Sequence, residues 1–147
     1  CIRDRSWVEP LAHVLKSLGS DHVWVVHGSD GLDEITNTGP TFVAALQDGA
    51  ISTFSVTPED FGLKKGKAED IKGHDAAYNA KALHDVLEGK RNAYRDIAVM
   101  NAAAGLIVAQ KTKSMKEAAD IAEAAIDDGR VRHGLEALIK ASKGHSA

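Results

Sequence analysis

Two adjacent carboxylates, Asp33 and Glu34, close the stretch His27-Gly28-Ser29-Asp30-Gly31-Leu32-Asp33-Glu34, which follows directly on the apolar run Val23-Trp24-Val25-Val26. Neighbouring hard oxygen ligands on a loop that Gly28 and Gly31 free to bend suit a magnesium ion that stays partly hydrated and also touches a substrate phosphate. The pattern predicts a metal site at Asp33 and Glu34 with an anionic ligand beside it. From the residues alone, even at a strand end, two adjacent acids on a loop are more often simply solvated than metal-bound. Gly28-Ser29-Asp30-Gly31 lacks the Gly-x-Gly opening of a dinucleotide fingerprint, and the acids do not alternate as a calcium-binding EF-hand requires.

The neighbouring polar residues have plainer readings. His27 can reach a phosphate, but a histidine at a strand end is more often a hydrogen-bonded terminus. Asp30 can support a metal through water, or tie the loop to its own backbone as aspartate readily does. Asn101 is the one polar side chain in an apolar helical stretch; left unpaired its amide costs about 1 to 3 kcal/mol, so it is expected to be satisfied structurally and is assigned no ligand. His74, His84, His133 and His145 share no metal-ligand spacing, and Lys64, Lys65 and Lys67 read as a solvated loop face, with phosphate steering as the minor alternative.

The elements that must hold the acidic pair can be read from periodicity and caps. Ser6 and Glu9 have the spacing of a capping box, and Trp7, Leu11, Val14, Leu15 and Leu18 recur at helical spacing, predicting a helix over 7–18. A strand over 23–27 then feeds the acidic loop, which places the loop at the carboxyl end of a sheet, where open α/β folds keep ligands. Asp48-Gly49 between 41–47 and 50–56 predicts a hairpin, Thr57-Pro58 a short turn, and 63–73 a surface loop. Helices follow over 75–88, 96–109, 114–127 and 131–142; the second is apolar nearly all round and expected to be central, and the last is expected to turn Leu135, Leu138 and Ile139 inward.

The fold class predicted is α/β: a partial central sheet with a parallel, buried strand and an antiparallel hairpin, flanked by about five helices. Three strands are fewer than the five or six that a sheet usually carries, at about that mean. Strand 23–27 is apolar on both faces and wants parallel neighbours that the sequence does not supply.

Length and charge narrow the classes. The chain has 147 residues, 44% hydrophobic and 27% charged, with a formal net charge of -3. That is one domain with one core, without the basic field that gathers nucleic acid. No apolar run reaches the roughly 20 residues that span a bilayer and no signal-peptide pattern opens the chain, so no membrane partner is expected and the cytoplasm is the default location. A single cysteine, Cys1, excludes an internal disulfide. The chain opens on Cys1 rather than methionine and reaches a helix within a few residues, as a piece of something longer would.

Four blocks together carry a resemblance: Val25 to Glu34, Leu46-Gln47-Asp48-Gly49, Thr57-Pro58-Glu59-Asp60-Phe61-Gly62-Leu63, and Met100-Asn101-Ala102-Ala103-Ala104. In order and spacing they resemble the carboxyl-terminal half of the anthranilate phosphoribosyltransferase family, over essentially the whole chain. The resemblance implies the carboxyl-terminal portion, over 1–147, of a nucleoside phosphorylase/phosphoribosyltransferase catalytic domain. It implies an enzyme of tryptophan biosynthesis: the amino group of anthranilate attacks C1 of phosphoribosyl pyrophosphate and displaces pyrophosphate in the presence of Mg2+, with Asp33 and Glu34 matching the family's magnesium-binding pair. The amino-terminal helical domain, the glycine-rich pyrophosphate loop and the arginine that receives the anthranilate carboxylate have no counterpart here. The chain alone is therefore expected to be inactive, and the homodimer implied for the full-length enzyme is left open for it. Two other readings stand beside this one: a divergent relative that binds another amine or nucleic acid, which the charge of -3 does not suggest, and a binding domain without chemistry.

Overall fold

Asp48 and Gly49 both adopt positive φ, 50° and 75°, the backbone that a two-residue primed turn demands. They fold β2 (Thr41–Gln47) back on β3 (Ala50–Val56) with Gln47 opposite Ala50, the hairpin expected from the sequence. The computed structural model describes residues 4–144, so Cys1 and His145 lie outside the described residues. Around the hairpin are α1 (Val8–Ser17), β1 (Val23–Gly28), 3-10 turns at Pro58–Phe61 and Ala68–Ile71, α2 (Ala76–Leu87), α3 (Ala93–Val108), α4 (Met115–Asp127) and α5 (Arg130–Gly144). The architecture is α/β, with one sheet of order β1-β2-β3 and five α-helices among the described residues.

The parallel, buried strand is corrected by the structure. β1 pairs antiparallel with β2, Val23 opposite Leu46 and Gly28 opposite Thr41. The chain between them turns back on itself rather than crossing over the sheet. Among the described residues no strand pairs with the other edge of β1, so Val23 to His27 are half-buried, whereas β2, flanked on both sides, buries Val43, Ala44, Ala45 and Leu46.

The sheet is covered on both faces. On one, Val8 and Ala12 of α1 pack on Ala44, with Val25, Phe42 and Ile51 around them. On the other, Val43, Ala45 and Val56 meet Val99, Met100 and Ala103 of α3 and Ala118, Ala119 and Ala122 of α4. Trp24 lies across small Ala45 and reaches Phe54 edge-on, ring centroids 5.4 Å apart. Arg95 is 1% exposed on α3 and donates to Asp127 of α4 at 2.7 Å, pinning the two helices together. Each covering layer removes apolar surface from water, the main force holding the sheet to its helices. Among the described residues no helix is long and apolar enough to cross a membrane.

Helix facing departs from the sequence reading at both ends. α1 turns Val8 and Ala12 to the sheet because Ala44 permits close approach, leaving Trp7, Val14 and Leu18 50%, 51% and 76% exposed. Ser6 makes no cap; it sits in a 3-10 turn, Arg5–Trp7, ahead of the helix. On α5, Leu138 and Ile139 are exposed and Leu135 is half-buried, because α5 packs mainly against α4, with Arg132 donating to Leu87 O of α2, instead of crossing the core. α3 starts at Ala93, where Asn92 accepts the Arg95 N–H at 3.0 Å, rather than at Asp96. It is central on its Val99-Met100-Ala103 side and exposed at Ala98, Ala102 and Gly105.

Candidate metal site

β1 ends at Gly28, and the chain reverses at once: the Gly31 N–H donates to Gly28 O at 2.9 Å and the Gly28 N–H to Leu32 O at 2.9 Å, with Gly31 at φ 91°. Glycine is required at residue 31 by that left-handed backbone. It is required at Gly28 by space, since a Cβ there would stand 2.6 Å from Asp30 Oδ1 and 3.1 Å from Thr36 Cγ2.

Asp30 ties the loop together. Its Oδ2 accepts from the hydroxyls of Thr36 and Thr38, both at 2.6 Å, and its Oδ1 accepts the Leu32 N–H at 3.2 Å. Partial burial pushes this carboxyl up, but the hydrogen bonds from Thr36, Thr38 and Leu32 outweigh it and hold Asp30 below its ordinary range. Asp30 is therefore committed to the loop, the structural of its two readings. Thr36 completes the knot by donating its N–H to Thr41 Oγ1 at 3.0 Å. Ile35, Thr36 and Asn37 are 1%, 0% and 0% exposed, so the second half of the loop is buried although it contains neither helix nor strand.

Asp33 and Glu34 project from the exposed middle of the same loop. Burial pushes the Glu34 carboxyl up, and the charges of Asp33 and Asp30 push it further. Like charges held close together on one loop would be relieved by a cation. Among the described residues no group of three or more His, Cys, Asp or Glu is arranged to hold a metal ion. The donor set fits an ion that takes two carboxylates from the protein and fills the rest of its shell with water and substrate oxygens, as magnesium does; it does not fit zinc or a caged calcium ion.

The remaining candidates sort clearly. His27 stands opposite Phe42 near the end of β1, and its buried Nδ1 has no hydrogen-bond partner among the described residues, so its ring is not the tied terminus expected at that atom. Asn101 is satisfied, as expected: Oδ1 accepts the Ile35 N–H at 2.9 Å and Nδ2 donates to Ile35 O at 2.8 Å and Ile97 O at 2.9 Å. Its link to the acidic loop was not legible in the sequence, nor were the roles of Thr36 and Thr38, because contacts between residues far apart in the chain leave no periodic signal. Lys64, Lys65 and Lys67 are exposed on the loop that touches the site's rear through Gly66, whose N–H donates to Asn37 O at 2.7 Å. A cavity of about 420 Å3, lined by His22, Trp24, Leu46, Ile107, Gln110 and Lys113 among others, opens at the opposite end of the sheet and shares no residue with the acidic loop.

Comparison with known proteins converges on one group. A family profile described as glycosyl transferase family, a/b domain, matches residues 1–132. The chain is 56% identical over 138 residues to anthranilate phosphoribosyltransferase of Methylocella silvestris, a match that covers 94% of this chain and 40% of that protein. Among solved structures, anthranilate phosphoribosyltransferase from Saccharomyces cerevisiae in complex with 4-fluoroanthranilate superposes with a TM-score of 0.87 at 26% identity, over 97% of this chain and 42% of that one. The same yeast enzyme in complex with PRPP and Mg superposes with a TM-score of 0.82 at 26% identity, over 91% and 39%. The chain thus spans about two fifths of the length of these relatives.

Proposed function

This chain belongs to the glycosyl transferase family, as its a/b domain, and from that premise we propose that it is the carboxyl-terminal part of the catalytic domain of an anthranilate phosphoribosyltransferase that uses Asp33 and Glu34 to hold Mg2+ beside the pyrophosphate of phosphoribosyl pyrophosphate. The observation that carries the reading is the paired carboxylates on a hydrogen-bonded loop at the end of β1, in a chain 56% identical to an enzyme of that name. A yeast relative that binds both PRPP and Mg supports the choice of ligands.

In the proposed reaction the anthranilate nitrogen forms a bond to C1 of the ribose, the bond from C1 to the pyrophosphate oxygen breaks, and the nitrogen loses a proton. Bound magnesium supplies charge neutralisation to the departing pyrophosphate oxygens. The protein's part is positional: Gly28 and Gly31 let the loop reverse, Asp30 ties it shut, and Asp33 and Glu34 are presented side by side where the leaving group's charge develops. Departure from a carbon with oxocarbenium character needs little acid or base when that charge is neutralised and the reactants are held in line. This chain supplies one wall of such a site, so the remaining walls and the activity belong to the full-length protein.

The test is the full-length protein carrying Asp33→Asn with Glu34→Gln, assayed for phosphoribosyl transfer across a magnesium titration. Loss of the charge-neutralising pair is expected to lower kcat/KM by about a hundredfold or more, in line with removal of one preorganised electrostatic element. Transfer within a few fold of the parent at every magnesium concentration would sink the assignment.

A further inference from the structure

Asn101 joins the helical layer to the acidic loop from 66 residues away in the chain. Its Oδ1 takes the N–H of Ile35 at 2.9 Å and its Nδ2 gives to the carbonyl of the same residue at 2.8 Å, a two-bond clamp on one residue's peptide groups. The same NH2 also faces Ile97 O at 2.9 Å and Glu34 Oε2 at 3.4 Å, so its two hydrogens serve three acceptors. The N–H of Ile35 lies in the same planar peptide unit as the Cα of Glu34. Fixing that N–H to a helix therefore fixes the point from which the Glu34 side chain departs, and the Nδ2 contact reaches the carboxylate itself.

The clamp has support on both sides. The Ile35 side chain is 1% exposed in the core formed with Val99, Met100 and Ala103, so the clamped peptide cannot slide along α3. Asp30 holds the chain on the other side through Thr36 and Leu32. Glu34 is thus bracketed, and the amide of Asn101 is the bracket's only element that touches both its peptide and its carboxylate among the contacts described.

We propose that Asn101 is a positioning residue of the magnesium site: it sets where the Glu34 carboxylate stands, and through it how tightly the metal is held. The inference rests on the reading of Asp33 and Glu34 as the metal pair. It assigns Asn101 a role beyond filling a hydrogen-bonding need, because removing an outer-shell partner weakens a metal site even when the fold survives.

The experiment uses the full-length protein with Asn101→Ala, Asn101→Gln and, in parallel, Glu34→Gln, reading the magnesium concentration for half-maximal phosphoribosyl transfer and the thermal midpoint separately. Asn101→Gln keeps the amide chemistry but displaces it by one methylene, so it preserves folding if Asn101→Ala does not. A positioning role predicts a rise of about tenfold or more in half-saturating magnesium for a folded Asn101 variant, with turnover restored at saturating metal. A merely structural role predicts a lower thermal midpoint with unchanged magnesium dependence, and that result, found alongside a shifted response in Glu34→Gln, overturns this inference alone. An unchanged response in Glu34→Gln overturns the metal-pair reading beneath it as well.

Discussion

Two segments that link the longer helices and strands are held in different ways. Residues 29–40, between β1 and β2, bury Ile35, Thr36 and Asn37: Asn101 and Thr41 accept the Ile35 and Thr36 N–H groups, Asp30 accepts the Thr36 hydroxyl, and Asn37 donates its Nδ2 to Ala93 O while its Oδ1 has no partner among the described residues. Residues 63–75, between the Pro58–Phe61 turn and α2, include the 3-10 turn Ala68–Ile71, bury no residue fully although Leu63 packs against the core, and are moored through a few contacts, Gly66 N–H to Asn37 O, Tyr94 Oη to Lys72 O, and His74 N–H to Asn79 Oδ1. The contrast shows that irregular backbone can be buried where short polar side chains take over part of the work of a ladder. Under the proposed reading of Asp33 and Glu34 as a metal pair, the first segment is the one that suits them, because a metal ligand must be held in place before the metal arrives.

The sharpest way to break the contrast is at Gly28. A methyl group there meets Asp30 Oδ1 at 2.6 Å, and that oxygen cannot swing aside without giving up the Leu32 N–H and the two threonine hydroxyls. Gly28→Ala is therefore expected to cost about 2 to 3 kcal/mol in chemical denaturation, as overpacking of a fixed site does. A cost near zero would mean that the loop yields as easily as 63–75 and that the contrast is one of appearance.

A smaller effect is expected at Asp30. Asp30→Asn replaces one acceptor oxygen with a donor facing hydroxyl partners, and should cost about 1 to 2 kcal/mol at neutral pH, the modest end for a charged acceptor because the carboxylate stays partly open to solvent. Its pH dependence has a definite sign. Since hydrogen bonding holds the folded carboxyl below its ordinary range, the stability it contributes is fully present above the unfolded value near about 3.9 and is lost as pH falls through the lower folded value. The parent's unfolding free energy should thus fall on acidification over that window, and the Asp30→Asn protein should show a flatter curve. Parallel curves would remove Asp30 from its place in the loop.

What was legible in the sequence follows the range of the signal. The Asp48-Gly49 turn and the starts of the helices expected over 75–88 and 114–127 are local, and each appears where it was expected, with Asp75 accepting the Tyr78 N–H at 2.8 Å and Ser114 the Glu117 N–H at 3.3 Å. The place of the acidic loop at the end of β1 was legible for the same reason, being a contiguous string after an apolar strand. Pairing direction was not, because the antiparallel return of β1 onto β2 depends on a loop closed by Asp30 and the threonines rather than on the strand's own composition. Which stripe of α1 and α5 faces inward was also hidden: Val8 and Ala12 win over larger residues only because Ala44 of β2 lies opposite. The Asn101 clamp spans two elements, and no local pattern announces it.

The smallest effect belongs to the exposed loop. Lys64, Lys65 and Lys67 stand in solvent, and replacing all three with alanine should change stability by no more than about 0.5 kcal/mol, the usual range for surface positions. The more telling measurement is kinetic. If the loop is only a solvated face, the full-length triple variant should keep its KM for phosphoribosyl pyrophosphate within about twofold and show the parent's dependence on salt, since exposed charges act at a distance only while they are unscreened. A KM that rises several fold at low ionic strength and converges with the parent at high ionic strength would give these lysines a steering role. The moored but exposed segment would then serve the same anion as the rigid one, through field rather than through fixed position.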